Sequence, residues 1–345
     1  LEQFIIVGTG LYNNKPSMKK ITVKLLIKRI TSSLIILFLI ITFVFFLVRL
    51  SPGDPSQKFI SPALSPQLAE EVKESLNLNE PLHLQYFGFL SSVFQGDLGI
   101  SYNFRRNVLS VIMDNLPFTF LFVTVSFILQ LLISFWLAIK AVKKINGFLD
   151  RMLSKLTLFF YAAPVFVTGV FLVFIFAELL NLLPSSGLKS YNFQDYSFLG
   201  KIMDYLVHLI LPAITLSLIE VAIFYKYLKG NLEDVYNKLF VLNLRANGIS
   251  EKNILLRHVI PNAINPLITI AGIELGIMLG GTLIIEVVFG LPGMGRLTID
   301  AILTRDYPLV IGCSLVAGAL IIVANLGADM IKAAIDKRLL AGSLN

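Results

Sequence analysis

Arg245, Ser250, Glu251, Lys252, Arg257 and His258 crowd into segment 241–262, VLNLRANGISEKNILLRHVIPN, a cationic island between two long apolar stretches. These side chains can pair with charges or hydrogen-bond a polar surface, but they do not assemble a reaction centre. The three histidines, His83, His208 and His258, are scattered, not clustered as metal ligands are, so no metal site is expected. Cys313 is the only cysteine, which excludes an internal disulfide. A phosphate-binding loop needs Gly-x4-Gly-Lys-Ser/Thr. Gly8-Thr9-Gly10 with Lys15 comes nearest, and it lacks the glycine before the lysine. No zinc-protease helix motif, nucleophile elbow or paired-carboxylate motif is present, which argues against an enzyme. The work left to 241–262 is mechanical: a bent, solvated element on which a soluble partner pushes.

The local pattern supports such a lever. Gly248 allows a backbone conformation that a side chain would oppose. Ser250 is a cap candidate, and Glu251 favours the positive end of the helix that follows. Ile254, Leu255 and His258 fall on one face, with Lys252 and Arg257 solvated, and the helix is expected to end near His258, ahead of Pro261. Two short helices joined at a bend result. An exposed apolar face on such a loop needs a partner. A loop helix lying on lipid headgroups would show the same pattern.

The surrounding chain is built for a bilayer. It is 56% hydrophobic and 15% charged, with mean hydropathy +0.78. A soluble domain carries about a quarter charged residues. Six apolar segments, near 30–48, 116–139, 156–183, 206–225, 263–289 and 309–328, are long enough to span as helices of ~20 residues. An all-α integral membrane protein with six transmembrane helices is expected. Of the 29 Lys and Arg, 20 fall in the set of loops that contains both termini and 226–262. That set is therefore assigned to the cytoplasm. The net charge of +7 follows from this asymmetry and does not imply nucleic acid.

Residues 1–17 are read as a non-native leader or upstream extension, with Met18-Lys19-Lys20 resembling a natural start. Residues 18–50 form the cytoplasmic N-terminus and first span, 51–115 an extracytoplasmic segment, and 116–345 the core, with a cytoplasmic loop at 230–262. Within 51–115, amphipathic helices are expected at 66–76 and 82–94, the second carrying Tyr86, Phe87, Leu90 and Phe94 on an apolar stripe. Pro117, Pro164 and Pro212 are expected to kink or start their helices.

Within the fifth span, Gly272, Gly276 and Gly280 form a small-residue ridge that lets another helix approach closely. Glu274 is offset from the ridge by ~200° and lies ~16 Å into the span. An ionisable group at that depth faces a cavity or a partner. Glu274, with Met278 one turn on and Glu220 in the fourth span, is the candidate polar lining of a pathway; a packing role is open for Glu274. Glu220 is expected to pair with Lys226 or with a second subunit. Glu178 and Glu286 are placed near the outer ends, within reach of water.

Arg245-Ala246-Asn247-Gly248, followed by Arg257-His258 and Pro261-Asn262-Ala263, resembles the cytoplasmic EAA loop of binding-protein-dependent ABC importer permeases, in the dipeptide/oligopeptide/nickel branch. The first acidic residue of the generic motif is absent, and Asn247 stands where lysine is more usual. Ser51-Pro52-Gly53-Asp54-Pro55, Gln85-Tyr86, Gly96-Asp97-Leu98-Gly99 and Phe289-Gly290-Leu291-Pro292-Gly293-Met294-Gly295-Arg296 extend the resemblance over roughly 19–340. It implies the type I ABC importer permease fold, a heterodimer with a second, homologous permease and two cytoplasmic ATPase subunits that bind ATP and Mg. It also implies an extracytoplasmic substrate-binding protein and location in the bacterial cytoplasmic membrane, in contact with lipid. The loop residues Arg245 to Gly248, Ser250, Glu251, Ile254, Leu255, His258 and Pro261 would contact the ATPase. Arg296, Asp300, Arg305 and Asp306 in the loop after span five would meet the binding protein, or belong to a structural turn. The cargo implied is di- or oligopeptide, with nickel or metal chelates and glutathione as alternatives. An ion-coupled secondary carrier is the competing class; it calls for internal inverted repeats, and none is convincing here.

Overall fold

The computed structural model describes residues 18–50, 80–143 and 147–335. The leader 1–17, the helix expected at 66–76 and the Ser51–Pro55 motif lie outside the described residues. Within them the chain is helical, with one isolated antiparallel bridge between Ile100 and Asn107. Among the described residues, five helices are long and apolar enough to cross a membrane, or six if one bent pair is counted as a single span.

The first helix, α1 (Met18–Leu50), leads to the short outer helix α2 (Leu82–Phe94). The stripe on α2 docks on α1: Phe89 stacks on Phe45 with ring centroids 5.1 Å apart, and the Tyr86 hydroxyl lies 2.6 Å from that of Thr42. The expected outer helix thus rests on the first span. Asn107 caps α3 (Val108–Val142) by accepting from the Leu109 N–H.

The third expected span is not one rod. Pro164 is the cap residue between α4 (Phe148–Ala162) and α5 (Val165–Val173), and the two directions differ by 104°. Ala163, before the proline, is extended, as the ring's clash with the preceding residue requires. A widened π turn, Phe174–Leu179, ends this arm.

The longest helix, α6 (Phe198–Tyr236), takes Pro212 in its interior and runs beyond the expected fourth span at both ends. It packs along α3. Small polar residues close that seam: Ser217 donates to the Ser126 carbonyl at 3.1 Å, and Ser134 to that of Val221 at 3.3 Å. Short α7 (Leu239–Ala246) follows, then a helical turn from Glu251 that runs without interruption into α8 (Ile260–Gly281). Three outer elements complete the core: α9 (Leu283–Val288), α10 (Met294–Leu303) and the last span α11 (Tyr307–Ile335).

The glycine ridge meets α11. A Cβ on Gly272 would lie 2.0 Å from the Ala328 Cβ, and one on Gly276 would touch Ile321 at 3.4 Å. Gly280 lies in the same helix. Broad apolar exposure remains on α1 and α3, including Leu34, Phe43, Leu121 and Leu132. Such surface is stable only against lipid or another apolar partner.

Candidate functional site

The lever begins where α7 ends. The Gly248 N–H donates to the Arg245 carbonyl at 2.9 Å and the Ile249 N–H to that of Leu244 at 3.1 Å. With Gly248 at φ +75°, this is the Schellman arrangement, in which a left-handed residue closes the last turn. Leu244 and Ile249 both pack against the buried cluster around Leu232, Ile254 and Val259, which fixes the bend from beneath. Arg245 then reaches across it: its Nε donates to Glu251 Oε1 at 2.5 Å, and its guanidinium lies 5.7 Å from the Tyr236 ring centre.

Three expectations for this segment are corrected. Ser250 sits at the cap position, but its side chain makes no capping bond; Glu251 faces Arg245 beside it. The helix does not stop before Pro261. Residues Ile254–Val259 form a π turn, with the Ile260 N–H donating to the Leu255 carbonyl, and Pro261 rides inside the first turn of α8. The wider turn displaces the carbonyls that a proline ring would strike and that its missing N–H would leave unpaired. Finally, the face of Ile254 and Leu255 is not open to a partner. Both are buried with Val259 in the chain's own core, while His258 is half-buried.

The solvent side of the lever is different from the side expected. Arg245, Ala246, Asn247, Gly248, Ser250, Glu251 and Pro261 are exposed. So are three leucines that the sequence did not single out, Leu239, Leu242 and Leu256, at 79%, 60% and 48%. Helical spacing marked an apolar face but could not tell which leucines the core would claim.

A charged lock braces this end. Lys229 on α6 meets Asp150 on α4 at 2.6 Å and Glu233 at 3.5 Å, and Asp150 is buried. Burial pulls the Lys229 ammonium down, but the hydrogen bond to Asp150 and the charges of Glu233 and Asp150 outweigh it and hold the group above its ordinary range. Neither acid nor base drew attention in the sequence, because 79 positions separate them.

Within the spans the half-buried Glu220 carboxyl lies against that of Glu274 and not against Lys226, one of the two partners expected. Met278 is buried among Phe122, Leu211 and Ile285, so it does not line an open path within this chain. Gln130 is fully buried, and its amide makes no hydrogen bond.

At the opposite end of the bundle from the lever, Glu286 is fully buried rather than wetted. Its carboxylate accepts from Thr119 and Thr282, both at 2.8 Å, and from the Arg296 N–H at 3.0 Å; Thr119 in turn accepts from the Met294 N–H at 2.8 Å. A Cβ on Gly293 would sit 2.2 Å from this carboxylate, which explains the glycine. Of the four outer-loop candidates, Arg296, Asp300 and Arg305 are exposed. Asp306 is fully buried; it accepts from the Ser101 hydroxyl at 2.5 Å and the Asn103 N–H at 3.0 Å, so it ties loop 101–103 to the start of α11 and is not open to a docking protein. Arg305 repeats the Schellman closure at φ +53°, without a glycine: its N–H donates to Ile302 and that of Asp306 to Ala301. Among the described residues, no group of three His, Cys, Asp or Glu side chains could hold a metal.

Residues 130–341 match the family described as the binding-protein-dependent transport system inner membrane component, and residues 22–123 match its N-terminal companion. The chain belongs to this family. It is 32% identical over 314 residues to a probable peptide ABC transporter permease of Sinorhizobium fredii, covering 91% of this chain and 98% of that one. It is 32% identical over 315 residues to the oligopeptide transport system permease AppB of Bacillus subtilis, with the same coverage of 91% and 98%. It is 30% identical over 310 residues to the glutathione transport system permease GsiC of Escherichia coli, covering 90% and 96%. A solved structure of the MetNI methionine ABC transporter, in inward-facing conformations, aligns with TM-score 0.48 at 17% identity, over 66% of this chain and 96% of that one. This transport permease is a multi-pass inner-membrane protein.

Proposed function

We propose that this chain is the translocation subunit of an ATP-driven importer that carries di- or oligopeptides into the cytoplasm by alternating access. It performs no chemistry itself. ATP and Mg are bound by two cytoplasmic ATPase subunits, cargo arrives on an extracytoplasmic binding protein, and a second, homologous permease completes the pathway. Both termini and the 239–262 lever face the cytoplasm, following the excess of Lys and Arg in those loops.

The observation that carries this reading is the lever's two-sidedness. Ile254, Leu255 and Val259 belong to the permease core, while Leu239, Leu242 and Leu256 stand in solvent beside Arg245 and Arg257. An apolar ridge with a cationic border fits a protein surface better than bulk water does. Motion of an attached ATPase then reaches the buried face directly. Glu220 and Glu274 are the candidates for a polar lining at mid-membrane, and Arg296, Asp300 and Arg305 for the binding-protein contact.

Peptide cargo is supported by the names of the relatives from Sinorhizobium and Bacillus. The Escherichia relative supports glutathione, itself a small peptide, as the second reading. Proteoliposomes holding both permeases and both ATPases test these readings. ATP-dependent uptake from the loaded binding protein is expected, and competition between peptides and glutathione ranks the cargo. Leu256→Asp should lose the ATPases on purification while the permease stays folded; Leu255→Asp should instead unfold the inner end, because it buries a charge. Uptake driven by a proton gradient without the ATPases would overturn the proposal, as would full ATPase retention by Leu256→Asp.

A further inference from the structure

A cavity of about 360 Å³ lies on the outer side, between α1, α2 and the first turns of α11. That is within the range of about 300–1,000 Å³ typical of small-ligand sites. Its walls are of two kinds. Phe45, Tyr307 and Ile311 are buried and give it an apolar, aromatic end; Glu80 and Asp97 are exposed and give it an acidic end. Among the described lining residues there is no lysine or arginine. Asp97 accepts from the Gly99 N–H at 2.9 Å and is exposed.

The cavity sits at the level where two spans leave the bilayer. Phe45 is near the end of the apolar run of α1, which closes at Leu47, and Ile311 is in the first turns of α11. Tyr86, Tyr102 and Tyr307 surround this level, as amphipathic rings do at a membrane boundary. On α2, Phe87 adjoins the lining residue Gly88 and is more than half exposed, so the cavity borders apolar surface there.

We propose that this cavity holds an outer-leaflet phospholipid with a primary ammonium headgroup, its chain against Phe45 and Ile311 and its ammonium between Glu80 and Asp97. The two acids select the ammonium and repel an anionic headgroup such as phosphatidylglycerol. Phe45 and Ile311 offer an acyl chain apolar contact, and the Tyr307 hydroxyl, buried there without a hydrogen-bond partner, is left to meet a polar group of the lipid. The lipid would join α2 to the α1–α11 seam.

Gly88 provides the test. It lines the cavity, and a Cβ added there meets nothing within 4 Å. Gly88→Leu therefore fills the space without a backbone clash. The complete transporter is purified from membranes, exchanged into nanodiscs of equal phosphatidylethanolamine and phosphatidylglycerol, and read by native mass spectrometry. Wild type is expected to retain phosphatidylethanolamine, Gly88→Leu to lose it with the subunits still assembled, and Glu80→Gln to lose the preference over phosphatidylglycerol. Equal retention of both lipids by wild type would overturn the proposal, as would unchanged phosphatidylethanolamine on Gly88→Leu. Glu80 is on the surface, so its variant keeps the test decisive even if Gly88→Leu fails to assemble.

Discussion

Replacing Gly248 separates the lever's geometry from its contacts. The residue sits at φ +75°, and a Cβ built there meets no atom within 4 Å. A substitution therefore clashes with nothing and acts through backbone preference alone. For an L-residue the left-handed region costs roughly 1–2 kcal/mol, with β-branched side chains at the upper end. Gly248→Val should therefore shift the equilibrium away from the observed bend by about 5- to 30-fold. The two Schellman bonds, from Gly248 to Arg245 and from Ile249 to Leu244, would open with it. Gly248→Asn is the control, since asparagine tolerates this region. The assay is the ratio of peptide uptake to ATP hydrolysis in proteoliposomes with a saturating binding protein. Valine should lower that ratio several-fold, and asparagine should leave it close to wild type. If valine and asparagine behave alike, the bend is not what couples the motor to the spans.

Two further outcomes follow from geometry. Asp150→Ala and Lys229→Met should each lower thermal stability by about 2–3 kcal/mol, somewhat under the ~3–5 typical of a sealed pair because Lys229 keeps Glu233 and some solvent; the double variant should be less destabilised than the two losses summed, as a thermal-shift double-mutant cycle would reveal. Arg305→Gly should relieve left-handed strain and stabilise the chain by up to ~1 kcal/mol, while weakening binding-protein docking if the guanidinium makes that contact; co-sedimentation and thermal shift measure the two effects separately.

The sequence made the apolar spans legible, because long apolar runs are a local signal. It also made the Gly248 bend legible, since glycine marks a left-handed closure. Pro261 misled because a proline reads as a stop; a π turn that absorbs it leaves no trace in residue types. Leu255 and Leu256 are indistinguishable by composition, and only the packing of α6 and α7 beneath them decides which is covered. Glu286 looked wetted because its partners, Thr119 and the Arg296 N–H, come from a distant span and from the loop beyond. The 104° bend at Pro164 was hidden by apolar residues on both sides of it.

The rod that begins at Glu251 and ends at Gly281 is continuous helix, taking a π turn and Pro266 into its length without a break. At 1.5 Å per residue it is about 45 Å long, enough to cross the whole bilayer. A see-saw of that length behaves differently from a hinged flap. If it pivots where Gly272 presses on Ala328, about two thirds of the way along, each ångström of travel at the Glu251 tip returns as roughly 0.4 Å of opposite travel at the Gly281 tip. Opening on one side and closing on the other would then be a single event, with no signal to relay between them.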